Sequence, residues 1–258
     1  MSVEVHHTVD GPPDAPVLLL SGSLGSTAAM WEPQATALRD TFRVVRYDTR
    51  GHGRSPVPPG PYTVADLGRD ALALLDRLGV RRAHIAGLSL GGMTALWLAA
   101  NAPERVDRLA LLCTSARLGP PEAWAERAAT VRAEGTGAVA GAVIGRWFTP
   151  GFAAREPATV ERMRAMVAAT PAEGYAACCE AIQGFDLRAD LARVTAPTLV
   201  VAGAEDPAAP PEHGERLAAG ISGADLHVLP AAAHLASWEQ SGAATRLLRA
   251  HLGAAPKD

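Results

Sequence analysis

The serine in the stretch GLSLGG has the surroundings of a reactive hydroxyl. Ser89 stands in a G-x-S-x-G pattern, directly after the apolar run 83–88 and before residues 90–101, whose apolar side chains recur at helical spacing. A sharp strand-to-helix turn exposes a hydroxyl at its tip, and the glycines permit the close backbone approach that such a turn requires. The pattern therefore predicts that Ser89 is a nucleophile, and the alternative is an ordinary helix cap.

A serine nucleophile needs a neighbouring base, and the base needs an acid that orients it. In sheets that carry this turn, the acid and then the histidine follow later strands. The apolar run PTLVVAG is followed by AEDPAAP, and the run DLHVL by PAAAHLASWE, which nominates Asp206 and His234. Glu205 adjoins Asp206 and is the alternative acid. His52, in the loop RGHGRS, is a further histidine that stays open as a neighbour of the site, although a structural role is favoured for it.

The tetrahedral intermediate of acyl transfer needs two N–H donors, each worth about 3–4 kcal/mol of transition-state stabilisation. Leu90 N–H follows Ser89 at the start of a helix, and we predict that Ser23 N–H, in the loop SGSLGST, is its partner. A phosphate cradle is the other reading of such a loop. Residues 18–40 contain no Lys, however, and neither G-x-x-x-x-G-K-[ST] nor G-x-G-x-x-G occurs in the loop.

The elements that must position these residues are visible as alternating patterns. Short runs rich in Val, Ile and Leu are separated by amphipathic stretches, which predicts an α/β fold with a mostly parallel sheet flanked by helices. The alternation lapses over residues 117–186, a segment with five prolines and no strand pattern that is too long for one crossover. We therefore predict a helical cap at 117–186 inserted into a core of 1–116 and 187–258. The predicted strands are 3–9, 16–21, 43–48, 83–88, 107–113, 197–203 and 225–229, and the predicted core helices are 66–78, 90–101 and 238–252.

Composition narrows the class of protein. The chain has 258 residues, 48% of them hydrophobic and 20% charged, with a net charge of −3, which is typical of a globular domain and gives no basic face for a nucleic acid. No apolar stretch approaches the roughly 18 residues of a membrane span. The three cysteines, Cys113, Cys178 and Cys179, lack metal-ligand spacing and are expected to be reduced thiols. We therefore expect a cytoplasmic protein with no membrane partner, no metal and no cofactor.

Six longer segments carry a resemblance to a known family. They are SGSLGSTAAMWEPQ (21–34), FRVVRYDTRGHGRSPVPPGPYT (42–63), GLSLGG (87–92), PEAWAER (121–127), RWFTPGF (146–152) and EGYAACCEAI (173–182). With these segments the chain resembles the α/β-hydrolase superfamily and, within it, the 3-oxoadipate enol-lactonases. Two positions depart from the family pattern: Gly22 replaces an Asn, and LASWE follows the histidine where an Asn before an Ile-Glu pair is common.

The resemblance implies a substrate and a set of binding residues. The substrate would be a small enol-lactone with a carboxymethyl group, opened through an acyl-enzyme. Its anionic tail needs a cation, and Trp124 and Arg127 share one face of a predicted cap helix. Arg146 with Trp147 is a second candidate pair. The alternative for these residues is a core Trp beside a solvated Arg.

Other functions remain open at the level of sequence. A broader carboxylesterase, a carbon–carbon-bond hydrolase or a perhydrolase would use the same serine, aspartate and histidine on the same fold. A ligand receptor or pseudoenzyme belongs to a different class and is disfavoured, because all three members of the triad are present. The expected partner is a small lactone or ester, and assembly into a homo-oligomer is left open.

Overall fold

A computed structural model describes residues 2–253 and contains a seven-stranded, mostly parallel sheet flanked by helices. The strand order is β1-β3-β2-β4-β5-β6-β7, and every neighbouring pair except β1 and β3 is parallel. The central strands β4 and β6 are buried along their whole length, as expected of a parallel sheet covered on both faces. The predicted fold class is confirmed.

The strands are β1 His7–Asp10, β2 Val17–Ser21, β3 Arg43–Tyr47, β4 Ala83–Leu88, β5 Val106–Leu112, β6 Thr198–Gly203 and β7 Asp225–Leu229. The helices up to the predicted cap are α1 Glu32–Leu38, α2 Val64–Arg77 and α3 Leu90–Asn101. The helices of residues 117–186 are α4 Pro121–Glu134, α5 Gly137–Trp147, α6 Pro150–Arg155, α7 Pro157–Ala168 and α8 Ala172–Gln183. The last helices are α9 Pro211–Gly220, α10 Ala236–Glu239 and α11 Ser241–Leu252.

Two predicted elements differ from the structure. The first strand begins at His7 and not at residue 3, because Val3 N–H donates to the buried carboxylate of Asp70 (2.7 Å) instead of pairing in the sheet. The helix predicted at 238–252 is divided at Gln240, whose backbone (φ −118°, ψ 46°) leaves the helical region between α10 and α11. Both differences arise from contacts that periodicity does not report.

The segment predicted as a cap folds into five consecutive helices between β5 and β6. Helix α4 packs on α8, and α5 packs on α7. Arg132 of α4 binds Glu173 (2.9 Å) and Glu180 (2.6 Å) of α8, which fixes one side of the segment. The division of the chain into a core domain and a cap domain stays a prediction.

Two expectations from composition concern the state of the cysteines and the presence of a membrane-spanning helix. Cys113, Cys178 and Cys179 are buried and free, and burial raises the pKa of all three thiols, that of Cys179 to about 12. Within residues 2–253, no helix combines the length and the apolar character needed to cross a bilayer.

The contact between α8 and the core is a backbone-to-backbone approach at two glycines. A Cβ on Gly174 would lie 2.1 Å from the carbonyl oxygen of Gly51, so no side chain fits there. Gly141 of α5, in contrast, has no atom within 4 Å of the position of its Cβ.

These two glycines give opposite predictions for the same substitution. In an open helical position, Gly→Ala stabilises by about 1 kcal/mol, whereas overpacking a close contact costs about 1–3 kcal/mol. We expect Gly141→Ala to raise the melting temperature and Gly174→Ala to lower it, both measured by thermal unfolding. A Gly174→Ala protein as stable as Gly141→Ala would contradict the close approach of α8 to the core.

Candidate active site

Ser89 lies at the sharp turn between β4 and α3. Its backbone has φ 57° and ψ −118°, a conformation that a non-glycine residue adopts only when the surrounding structure holds it. Two hydrogen bonds do so: Ser89 N–H donates to the carbonyl of Leu112 (3.0 Å), and the hydroxyl of Thr114 donates to the carbonyl of Ser89 (2.7 Å). The turn places Ser89 beyond the carboxyl end of the central strand, where it lines a cavity.

The glycines around Ser89 are required by contact distances. A Cβ on Gly87 would lie 2.1 Å from the carbonyl oxygen of Gly91, and one on Gly91 would lie 2.1 Å from that of Ser21. The loop after β2 therefore packs directly on the first turn of α3. This contact sets the loop that contains Ser23 beside the turn that contains Ser89.

Asp206 and His234 form a buried pair near that turn. The Nδ1 atom of His234 lies 2.8 Å from Oδ2 of Asp206, and Oδ1 of Asp206 accepts hydrogen bonds from the N–H groups of Ala208 (2.8 Å) and Ala209 (3.0 Å). Burial opposes ionisation of the carboxyl, but His234 and the two N–H donors outweigh it and hold the pKa of Asp206 below its usual range. A charged Asp206 fixes Nδ1 of His234 as a donor and leaves Nε2 free to act as a base.

The alternative acid Glu205 and the further histidine His52 lie in environments that differ from those of Asp206 and His234. Glu205 is exposed, whereas its neighbour Asp206 is buried beside His234. His52 is fully buried, and burial lowers the pKa of its imidazole to about 4, so the ring is neutral. Its Nε2 atom accepts a hydrogen bond from Gly25 N–H (2.9 Å), which leaves Nδ1 to donate to the carbonyl of Arg50 (3.2 Å). This arrangement agrees with a structural role for His52, which supports the loop containing Ser23.

The two predicted oxyanion donors differ in their present contacts. Leu90 N–H has no hydrogen-bond partner within the described part of the chain, whereas Ser23 N–H donates to the sulfur of Met30 (3.0 Å). A thioether is a weak acceptor, which an oxyanion would readily replace. A Cβ on Gly22 would lie 2.8 Å from Oγ of Ser26 and 3.1 Å from the same sulfur, so both side chains would have to shift to admit the Asn of the family pattern. The roles of Ser23 and Leu90 stay predictions.

One cavity of about 320 Å³ is lined by most of the predicted site residues. Ser89 and His234 line it together with Ser23. The helices of residues 117–186 also line it and contribute all four predicted substrate-binding residues, Trp124, Arg127, Arg146 and Trp147. Thus residues that are distant in sequence meet at the carboxyl edge of the sheet, where ligands bind in open α/β sheets.

The cavity wall contains two arginines that lack acidic partners. The guanidinium of Arg127 lies 4.9 Å from the centre of the Trp124 ring, and Arg146 is exposed, while Trp147 is buried. Partial burial and the charge of Arg127 lower the pKa of Arg146. Neither arginine forms an ion pair with any carboxylate among residues 2–253. Two unpaired positive charges in one wall favour an anionic ligand.

Sequence reasoning missed two polar residues of the site. Tyr175 lies in the cavity wall, within the cap segment EGYAACCEAI. Glu239 accepts hydrogen bonds from the N–H (2.9 Å) and hydroxyl (2.7 Å) of Thr149 and from Ala233 N–H, so it joins the start of α6 to the loop of His234. Among residues 2–253, no three His, Cys, Asp or Glu side chains are grouped closely enough to hold a metal ion.

Comparison with known proteins agrees with the fold and the site. Residues 15–241 match the family model of the α/β hydrolase fold, and the chain belongs to this family. It is 42% identical to 3-oxoadipate enol-lactonase 2 of Acinetobacter baylyi, over 92% of this chain and 89% of that protein. It is also 35% identical to the RutD protein of Variovorax paradoxus, provisionally named a carbamate hydrolase, over 95% and 94% of the two chains.

A solved structure also shows similarity to an enol-lactonase. The enol-lactonase from Burkholderia xenovorans LB400 superposes with a TM-score of 0.95 at 44% identity, over 97% of this chain and 96% of that one. The predicted family resemblance is therefore confirmed. The chain is accordingly an enzyme, a hydrolase of the carboxylic-ester type.

The Asp206–His234 contact predicts how the two neighbouring acidic residues differ in importance. Replacing the acid of such a triad by its amide leaves the histidine in the wrong tautomer and lowers kcat by about 10⁴-fold. We expect this loss in Asp206→Asn and nearly unchanged kcat in Glu205→Gln, the matched control, both measured on p-nitrophenyl acetate. Equal losses in the two variants would contradict the assignment of Asp206 as the acid.

Proposed function

We propose that the protein opens a small enol-lactone bearing a free carboxylate, converting 3-oxoadipate enol-lactone to 3-oxoadipate. The observation that carries the proposal is the composition of the cavity. Ser89 and His234 line it together with Arg127 and Arg146, and neither arginine has an acidic partner within residues 2–253. The similarity to two enol-lactonases over almost the whole chain supports the same substrate.

In the acylation step, His234 removes the proton of the Ser89 hydroxyl as its oxygen attacks the lactone carbonyl. The N–H groups of Leu90 and Ser23 hold the resulting oxyanion, and Ser23 N–H leaves the sulfur of Met30 to do so. The C–O bond of the ring then breaks, and the imidazolium of His234 donates its proton to the departing enol oxygen. Because the enol converts to a ketone, ring opening is favourable.

In the deacylation step, His234 removes a proton from water, which attacks the acyl carbon on Ser89. The second tetrahedral intermediate collapses, the C–O bond to Ser89 breaks, and the imidazolium returns its proton to the serine oxygen. Asp206 stabilises the imidazolium in both steps and keeps its own negative charge. The released dicarboxylate carries one carboxylate that came from the lactone carbonyl and one that the substrate already had.

The cavity suits a small substrate. Its volume of about 320 Å³ lies at the lower end of the roughly 300–1,000 Å³ that is usual for small-molecule sites. Leu118, Val143 and Ile182 supply apolar wall around the two arginines. A broader carboxylesterase activity is the second candidate, because this apolar surface would also accept a neutral acyl group.

The role proposed for the cavity arginines is tested by comparing an anionic with a neutral substrate. Removing a charged hydrogen-bond partner costs about 1.5–3 kcal/mol, so we expect Arg127→Ala to raise KM for the enol-lactone by at least about tenfold. Turnover of p-nitrophenyl acetate should change little, and Ser89→Ala should abolish turnover of both substrates while the fold is retained. Steady-state kinetics on the two substrates measure these effects.

A matched control is available on another cap helix. The guanidinium of Arg162 lies 5.0 Å from the centre of the Trp238 ring, but Arg162 does not line the cavity. Arg162→Ala should therefore leave both activities unchanged. Turnover of the neutral ester without any turnover of the lactone would refute the lactonase proposal, and lactone turnover in Ser89→Ala would refute the nucleophile.

A further inference from the structure

The hydroxyl of Tyr175 is a buried polar group that forms no well-aligned hydrogen bond within residues 2–253. Tyr175 is 0% exposed, and among the described residues its Oη atom forms no hydrogen bond of normal geometry, although the guanidinium of Arg127 lies beside it. An unpaired hydroxyl in a protein interior costs free energy, since water would otherwise satisfy it. Because Tyr175 lines the cavity of Ser89 and His234, a bound ligand can supply the missing partner.

The ring of Tyr175 is fixed by packing that does not need the hydroxyl. Its Cε2 atom lies 3.1 Å from the position of a Cβ on Gly25, in the loop that also contains Ser23. Val167 of α7 contacts the same glycine position at 3.4 Å. Phenylalanine would fill this space equally well, so packing explains the ring and leaves the hydroxyl unexplained.

The charges around the hydroxyl identify the kind of ligand. Burial raises the pKa of Tyr175, and although the charges of Arg127 and Arg146 oppose this, the phenol stays protonated and able to donate. Arg127 and Arg146 are also donors only. Three groups of one cavity wall therefore offer hydrogen bonds, and none of them is paired with a carboxylate within residues 2–253.

We infer that the Tyr175 hydroxyl donates to the free carboxylate of the substrate and, with Arg127 and Arg146, forms a carboxylate subsite in the cavity wall. The inference rests on the proposed function and adds a specificity-determining residue to it. A rigid phenol and guanidinium groups together position a carboxylate more sharply than charge alone, because the donor direction of the hydroxyl is set by the packed ring. Tyr175 would thus select acids over neutral esters and take no part in the chemistry at Ser89.

The test uses adipate, a saturated dicarboxylate, as a competitive inhibitor of p-nitrophenyl acetate hydrolysis by the whole protein. Tyr175→Phe should raise the inhibition constant of adipate by about tenfold, as expected for loss of a hydrogen bond to a charged group. Any change in its kcat/KM for p-nitrophenyl acetate should be much smaller than this roughly tenfold change, because the neutral ester has no carboxylate. Its melting temperature should equal or exceed that of the unmodified protein, because an unpaired buried hydroxyl is removed.

Tyr62→Phe is the matched control. The hydroxyl of Tyr62 donates to the carbonyl of Pro58 (2.5 Å) and does not line this cavity. We expect this variant to lose thermal stability and to keep the adipate inhibition constant. Neutral adipamide should bind Tyr175→Phe and the unmodified protein equally, which separates recognition of charge from recognition of shape.

The outcomes separate this inference from the proposed function. An adipate inhibition constant that is equal in Tyr175→Phe and the unmodified protein overturns the role of the hydroxyl and leaves lactone hydrolysis standing. Weaker adipate inhibition in Tyr175→Phe without any lactone hydrolysis by the unmodified protein supports the subsite and removes the substrate proposal. Absence of adipate inhibition in the unmodified protein overturns the subsite itself.

Discussion

The close contact between the loop after β2 and the first turn of α3 is the constraint on which the site depends. Gly91 allows the carbonyl of Ser21 to approach to a distance that no side chain would permit, and the left-handed backbone of Ser89 directs the chain from strand to helix at that point. Because both features are made by backbone, they are rigid. They place the predicted nucleophile and the predicted oxyanion donors on one edge of the sheet before any ligand binds.

A second set of hydrogen bonds joins the histidine to the wall of the cavity. The N–H groups of His234 and Leu235 donate to the carbonyls of Arg146 (3.3 Å) and Trp147 (2.8 Å), at the end of α5. Glu239 adds contacts between the same loop and Thr149. The predicted base is therefore held by the segment that contains Arg127 and Arg146, so the proposed substrate binding and the position of the base depend on the same helices.

The predicted catalytic residues are those that the ends of apolar runs mark in the sequence. Ser89, Asp206 and His234 each follow the end of an apolar run, and the carboxyl ends of parallel strands meet at one edge of a sheet. The elements with strong periodicity, such as α2, α3 and β4, were located within two residues of their observed ends. The start of β1 was predicted four residues early, because Val3 N–H donates to the carboxylate of the distant Asp70. The break at Gln240 was missed, because a change of backbone angles at one residue leaves the apolar periodicity intact.

The residues that sequence reasoning missed depend on packing between remote segments. Tyr175 lines the cavity because α8 brings its ring against Gly25. Met30 belongs to the site because its sulfur accepts a hydrogen bond from Ser23 N–H. No spacing in the sequence predicts either contact. His52 shows the opposite case, since a histidine in a loop near the site is explained entirely by two backbone hydrogen bonds.

Covalent labelling of the protein by a fluorophosphonate tests the central claim most directly, namely that Ser89 is the nucleophile of a site that accepts the lactone product. Peptide mapping by mass spectrometry locates the label, and 3-oxoadipate is added as a competitor. We predict one label per chain on Ser89, loss of hydrolysis in proportion to labelling, and slower labelling when 3-oxoadipate is present. A label on another residue, or full hydrolytic activity after complete labelling of Ser89, would contradict the account.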